Sequence, residues 1–163
     1  MASQSICIMG VDPGLSGAIA FYFPSYPKVI TAEDAPCVGK RIDAATLAER
    51  VRQMAPDLAV IELVAAMPGQ GVSSMFRFGQ AFGTVIGVVT ACGVPVEFVT
   101  PGKWKKHFGL DADKENARAK ALAAWPDNAG VFSRKKDHGR AEAALIARYA
   151  AETFTERFRG TDP

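Results

Sequence analysis

Two apolar runs in the sequence end on an acid: Ser5 to Val11 runs into Asp12, and Leu58 to Ile61 runs into Glu62. A carboxylate at the end of a buried strand is costly to desolvate unless an opposite charge meets it, so two of them on neighbouring strands point to a shared cation. Taken alone, Asp12 could instead organise the Asp12-Pro13-Gly14 turn, and Glu62 could face solvent. A third segment adds Asp137, His138 and Glu142 at the mouth of the last amphipathic stretch, with Ala141, Ala143 and Ala144 around the glutamate. At about 100° per residue, His138 and Glu142 share a helix face, whereas Asp137 fits ahead of the first turn, from which its carboxylate can swing toward Glu142. An N-cap aspartate beside a surface glutamate is the plainer arrangement. It leaves the alanines around Glu142 unexplained, whereas close approach of that helix to a sheet would require them.

Asp12, Glu62, Asp137 and Glu142 therefore form a candidate set of catalytic metal ligands, with His138 as a neighbouring donor to metal or phosphate. Hard oxygen donors without a thiolate favour Mg²⁺, with Mn²⁺ able to substitute, over zinc. Two such ions about 4 Å apart can activate water on one side of a phosphodiester and stabilise the leaving oxygen on the other. The expected chemistry is phosphodiester hydrolysis without a protein nucleophile, and no small-molecule cofactor is called for.

The charge distribution suits a polyanionic substrate. The 163 residues carry a net charge of only +2, but ten of the 19 Lys and Arg fall between Lys103 and Arg140 against five acids, a local charge of +5. The first 102 residues carry six bases and eight acids. A basic segment of this kind offsets the repulsion between clustered carboxylates and a nucleic-acid backbone; a solvated basic face is the alternative. Lys103, Lys105, Lys106, Lys114, Arg118, Arg134, Lys135, Lys136 and Arg140 are the candidate DNA-binding bases. Trp104, among them, either stacks on a base or anchors its helix to the core.

The chain opens as a β-meander: Ser5 to Val11, Ala18 to Phe23 and Lys28 to Ala32, linked by Pro/Gly turns. A helix from Asp43 to Met54 with Asp43 as its cap follows, then the strand Leu58 to Ile61. Residues 64–72 form a Pro/Gly loop, and a long helix runs from Ser73 or Ser74 to Ala91 with Met75, Phe78, Phe82, Val85 and Val89 on one stripe. Val94 to Val99 is a strand, Thr100-Pro101 opens a short basic helix to Phe108, and Asp113 to Ala124 is helical. Asn128 to Lys136 reads as a polar loop and Ala141 to Thr153 as the last helix. The order implies an α/β fold: a mixed five-stranded sheet with helices on both faces, in one domain over residues 1–154, and a flexible tail over 155–163. Cys7, Cys37 and Cys92 have no metal or disulfide spacing and read as reduced and structural. No apolar run reaches the roughly 20 residues of a membrane span, and no secretory signal is readable at the start, so a cytoplasmic protein without a membrane partner is expected.

The segments Gly10 to Ala18 (GVDPGLSGA), Val60-Ile61-Glu62, Phe78 to Gly83 (FGQAFG) and Asp137 to Ala143 (DHGRAEA) resemble, in order, motifs of the RuvC family of Holliday junction resolvases. The resemblance runs from about residue 6 to 150. Its last motif is closer to the phage-type and chloroplast members than to the standard bacterial enzyme, which suggests a phage or prophage source and a bacterial host cytoplasm. The resemblance implies an RNase H-like fold, with Asp12, Glu62, Asp137 and Glu142 as the metal-binding acids. It also implies a homodimer joined through the long helix, and paired symmetric nicks across four-way DNA junctions. Lys114 matches the lysine that chloroplast-like members place near the scissile phosphate, with Lys103, Lys105 and Lys106 competing for that role. Where the bacterial family carries an aromatic junction wedge, this chain has Ala65, so Met67 or Phe76 is left to act as the wedge. Alternatives are an RNase H-type nuclease acting on hybrids or branched nucleic acid, an actin-like phosphotransferase, and a non-catalytic junction-binding module. The actin-like reading needs a second copy of the fold that 163 residues do not hold, and a non-catalytic module would be expected to have lost an acid.

Overall fold

Strand alternation sorts the apolar side chains onto two faces of one sheet. The computed structural model describes residues 5–159. Its first strands are β1 (Ile8–Asp12), β2 (Ala18–Tyr22) and β3 (Ile30–Asp34), followed by a small hairpin of β4 (Cys37–Val38) and β5 (Arg41–Ile42). Next come α1 (Ala44–Met54), β6 (Leu58–Glu62), α2 (Val72–Ala91) and β7 (Val96–Val99). The chain closes with α3 (Pro101–His107), α4 (Lys114–Ala124), two short 3₁₀ turns (Pro126–Phe132 and Lys135–Asp137) and α5 (His138–Arg159).

The main sheet has the order β3-β2-β1-β6-β7. β1, β2 and β3 pair antiparallel, while β6 pairs parallel with β1 and with β7. This is the mixed five-stranded sheet read from the sequence. Ile8, Ala18, Ala20, Tyr22 and Val60 pack with α5, α4 and Trp104 in one core. Met9, Val11, Ile19, Phe21, Ala59 and Ile61 pack with α1 and α2 in the other. Each large side chain so buried stabilises the fold by roughly 1.5–3 kcal/mol.

Helix α5 lies close against β1. A Cβ on Gly10 would stand 2.1 Å from the Ala143 carbonyl oxygen and 2.9 Å from the Ala147 Cβ, so glycine on the strand and alanine on the helix are both required. The small residues around Glu142 thus have the reason expected of them: Ala141, Ala143 and Ala144 are fully buried.

Several boundaries differ from the sequence expectation. The polar loop over Asn128 to Lys136 is instead two 3₁₀ turns, because Phe132 is buried against Trp125, ring centroids 6.0 Å apart. The last helix begins at His138 rather than Ala141 and continues past Thr153 to Arg159. It starts early because the Asp137 carboxylate accepts the Arg134 backbone N–H and closes the turn that feeds it. Residues 160–163 of the expected tail lie outside the described residues. Thr100 makes no side-chain cap, and Pro101 opens α3 without one.

Helix α2 also departs from expectation. With 20 residues and a mean hydropathy of 1.2, it reaches the length and composition of a membrane span. Arg77 and Gln80 interrupt its apolar run in the sequence. It packs on the sheet through Ala81, Val85 and Val89. Met75 and Phe76 are exposed, and nothing among the described residues comes within 4 Å of a Cβ added at Gly79, Gly83 or Gly87.

Candidate metal centre

β1 and β6 run side by side with Val11 opposite Ile61, so the next residue on each strand, Asp12 and Glu62, leaves the sheet at one end. Alternation turns both toward the α5 face, and Glu142 arrives there one turn into α5. One carboxylate oxygen from each of Asp12, Glu62 and Glu142 comes within 4.8 Å of the others. Glu62 and Glu142 are buried, and Asp12 is partly so. Gly139 makes room for this approach: a Cβ there would stand 3.1 Å from both Asp12 Oδ2 and the Ser16 carbonyl oxygen.

The three acids sit in a cavity of about 360 Å³ whose wall includes Lys105, Lys114, His138 and Phe78. Lys105 Nζ lies 3.9 Å from Glu142 Oε1 and 5.4 Å from the Trp104 ring centroid. The buried Trp104 indole N–H donates to Glu62 Oε2 at 2.6 Å. His138 Nδ1 is buried with no hydrogen-bond partner among the described residues.

The electrostatics of the cluster are unfavourable without a cation. Burial, then the charges of Glu142 and Glu62, hold the Asp12 carboxyl well above its usual range. Burial likewise raises Glu62 against the Trp104 hydrogen bond, and raises Glu142 against the ammoniums of Lys105 and Lys114. Burial and Lys114 push the His138 imidazole down, toward the neutral form that can bind a metal. Three convergent carboxylates and an unpartnered imidazole nitrogen on the same cavity fit a hard divalent cation.

Two sequence assignments are corrected. Asp137 does not join the cluster. Its carboxylate is buried in a two-point pairing with Arg134, 2.7 Å from Nη2 through Oδ1 and 2.8 Å from the backbone N–H through Oδ2. Arg140 Nη1 is 3.9 Å away, and the Arg134 hydrogen bonds hold the acid below its usual range. The residue before the helix therefore closes a turn, and the first helical residue, His138, faces the cavity with Glu142 one turn on. Of the two readings of Trp104, the core anchor holds and base stacking does not: the ring is fully buried, offers no face to a base, and donates to Glu62.

No protein-family model matches the chain. Over 92 residues it is 32% identical to the chloroplast Holliday junction resolvase MOC1 of Chlamydomonas reinhardtii, a match covering 55% of this chain and 10% of that relative. The matched stretch is thus about a tenth of the relative's length. Among solved structures, T. thermophilus RuvC in complex with a Holliday junction substrate superposes with a TM-score of 0.67 at 19% identity, covering 97% of this chain and 99% of that one. The fold is that of RuvC. The fowlpox virus Holliday junction resolvase (TM-score 0.56, 13% identity, 91% and 99% covered) and the yeast mitochondrial resolvase Ydc2 (0.51, 16%, 94% and 85%) share it.

Within the RuvC fold of this chain, the predicted bases divide. Lys105 and Lys114 line the acid cavity. Lys103, Lys106, Lys135 and Lys136 are exposed. The three arginines are committed elsewhere: Arg118 to Glu115 and the carbonyls of Phe132 and Ser133, Arg134 to Asp137, and Arg140 to Asp34. The sequence reading missed Gly139, whose role shows only when α5 meets the end of β1. It also missed the Trp104 to Glu62 bond, which joins residues 42 apart.

Proposed function

We propose that this protein is a metal-dependent endonuclease that resolves four-way DNA junctions by paired symmetric nicks. The observation that carries the reading is the convergence of Asp12, Glu62 and Glu142 within 4.8 Å, in a cavity walled by Lys105 and Lys114. The RuvC fold around it and the MOC1 similarity support the choice of substrate. Asp12, Glu62 and Glu142, with His138, would hold Mg²⁺ or Mn²⁺, two ions per site, and would thereby supply the Lewis acidity that hydrolysis of a phosphodiester by water requires.

The chain's own groups prepare the site. Lys114, on the first residue of α4, and Lys105 present ammoniums to a phosphate entering the cavity. Trp104 fixes the rotamer of Glu62, and the buried position of Glu142 keeps bulk water from one side. Lys103, Lys106, Lys135 and Lys136 remain to meet the flanking backbone. Met67 and Phe76 are exposed by 68% and 67% and are the side chains available to enter the junction centre.

The exposed face of α2 is the dimer interface in this reading. Glycine inside a helix costs about 1 kcal/mol relative to alanine. Gly79, Gly83 and Gly87 lie in line at one-turn spacing, and a Cβ at any of them would meet nothing among the described residues of the single chain, which close approach of a second α2 explains. Gly83→Glu is expected to give a monomer by light scattering without lowering the melting temperature of the monomer unit. A panel of four-way junction, linear duplex, flap and RNA–DNA hybrid in Mg²⁺ tests the substrate. Selective, symmetric cuts on the junction support resolution, and equal cutting of all four removes it in favour of a general RNase H-type nuclease.

A further inference from the structure

Beyond the acids and the Lys103 to Arg140 segment, the largest unexplained feature is a basic groove formed by residues from the nearly neutral first part of the chain. Two cavities of about 360 and 290 Å³ lie between the β4–β5 hairpin and α2. They share Lys40, Arg41, Arg77 and Gln80, so they form one continuous depression, and no acidic side chain lines either. None of the three cations makes a salt bridge or a side-chain hydrogen bond among the described residues, in contrast to Arg118, Arg134 and Arg140. All three are exposed.

The groove adjoins the acid site. Leu15 lines both the second of these cavities and the cavity that holds Asp12, Glu62 and Glu142. It also lies on the other side of the sheet from the expected DNA-binding bases. α2 packs in the core formed with α1, while α3, α4 and α5 belong to the opposite core. The exposed ring of Phe76 borders the groove beside Arg77. Unpaired guanidiniums and an ammonium around a polar depression, with an aromatic ring at one side, are the lining a phosphodiester backbone takes.

We propose that Lys40, Arg41 and Arg77 form a second backbone-binding track, which carries the nucleic acid away from the acid site across Leu15 and along the hairpin side of α2. The proposal rests on the nuclease reading and assigns it a surface that the charge map of the sequence does not contain. A strand entering past Lys105 and Lys114 is then held on both sides of the cleavage point, rather than on one.

The test is the salt dependence of binding, measured by fluorescence anisotropy without metal so that no cleavage occurs. A labelled four-way junction is titrated with wild-type protein, with the triple variant Lys40→Ala/Arg41→Ala/Arg77→Ala, and with a control, Lys28→Ala/Arg52→Ala/Lys120→Ala. The control removes the same charge from exposed positions. Each lost phosphate contact lowers the slope of log affinity against log salt by about 0.9. The triple variant is therefore expected to lose about 2 to 3 from the slope for each protomer on the junction, with the control near wild type and all three proteins melting alike. A triple variant with the wild-type slope overturns the track while leaving the nuclease reading intact. Equal losses in variant and control overturn it as a mere net-charge effect. Wild-type protein that binds no junction DNA at any salt removes the nuclease reading itself, and the track with it.

Discussion

Four acids stand near the mouth of α5, and the fold treats them in opposite ways. Asp12, Glu62 and Glu142 face one another, and burial holds all three carboxyls above their usual range. Asp137, adjacent in sequence to the cavity residue His138, is held below its range by Arg134. One group is costly to the folded protein until a cation arrives; the other stabilises the fold by itself. Proximity in sequence therefore does not distinguish a ligand from a cap, but the partners do. A buried acid with a guanidinium on both oxygens has no lone pairs directed at a metal, whereas Asp12, Glu62 and Glu142 converge within 4.8 Å with only a lysine at 3.9 Å from Glu142 and one indole N–H on Glu62 against them, which leaves carboxylate oxygens for a cation.

This contrast can be broken or sharpened by substitution. The largest effect is expected from Glu142→Gln: junction cleavage falls to background, by more than the 10–100-fold typical of losing an outer partner of a metal site, while junction binding measured by anisotropy persists. Trp104→Phe keeps the ring and removes only the N–H to Glu62. It should weaken Mn²⁺ binding and cleavage by roughly 10–100-fold, with the melting temperature changed far less than by Trp104→Ala. An unchanged Mn²⁺ affinity in the Phe variant would show that the indole fills space and does not orient the acid.

Asp137→Asn should act on stability instead. Losing charge-assisted hydrogen bonds from a buried carboxylate costs about 2 kcal/mol, a fall in melting temperature of roughly 4–8 °C. Metal affinity should stay near wild type. The smallest effect has the opposite sign: metal-free Asp12→Asn should melt about 2–4 °C above wild type at neutral pH, for a gain on the order of 1 kcal/mol.

That gain should depend on pH. A carboxyl with a raised folded-state pKa contributes its stability below the ordinary carboxylate range, and that stability is lost as pH rises through the raised value. The advantage of Asp12→Asn is therefore small near about pH 4 and grows toward neutrality. Asp137 contributes in the other direction, with stability present above its ordinary value and lost as pH falls through its lowered one. Calorimetric melting of both variants against pH checks both signs, and Mg²⁺ should cancel the advantage of Asp12→Asn by stabilising wild type alone.

Much of this was legible in the sequence. Apolar runs ending on Asp12 and Glu62, and the alanine-rich helix bearing Glu142, were enough to place three acids at one end of a mixed sheet, because strand and helix periods fix which residues share a face. What could not be read depends on contacts between distant segments. The turn closed by Arg134 and Asp137 moved the helix start to His138 and turned a predicted ligand into a cap. Trp104 sits on a basic helix in sequence but is buried in three dimensions against Glu62. The basic segment lost its arginines to acids as far away as Asp34, while Arg77 joined the distant Lys40-Arg41 pair in the groove. Charge counted along a chain omits such pairing.

The assignment of the centre is tested most directly by titrating Mn²⁺ into Asp12→Asn and Asp137→Asn side by side, well below the melting temperature of each, and following junction nicking in Mg²⁺ with the same preparations. The expected result is that Asp12→Asn loses both metal binding and nicking, while Asp137→Asn retains both. Nicking at the wild-type rate by Asp12→Asn, or loss of metal binding in a folded Asp137→Asn, would contradict it.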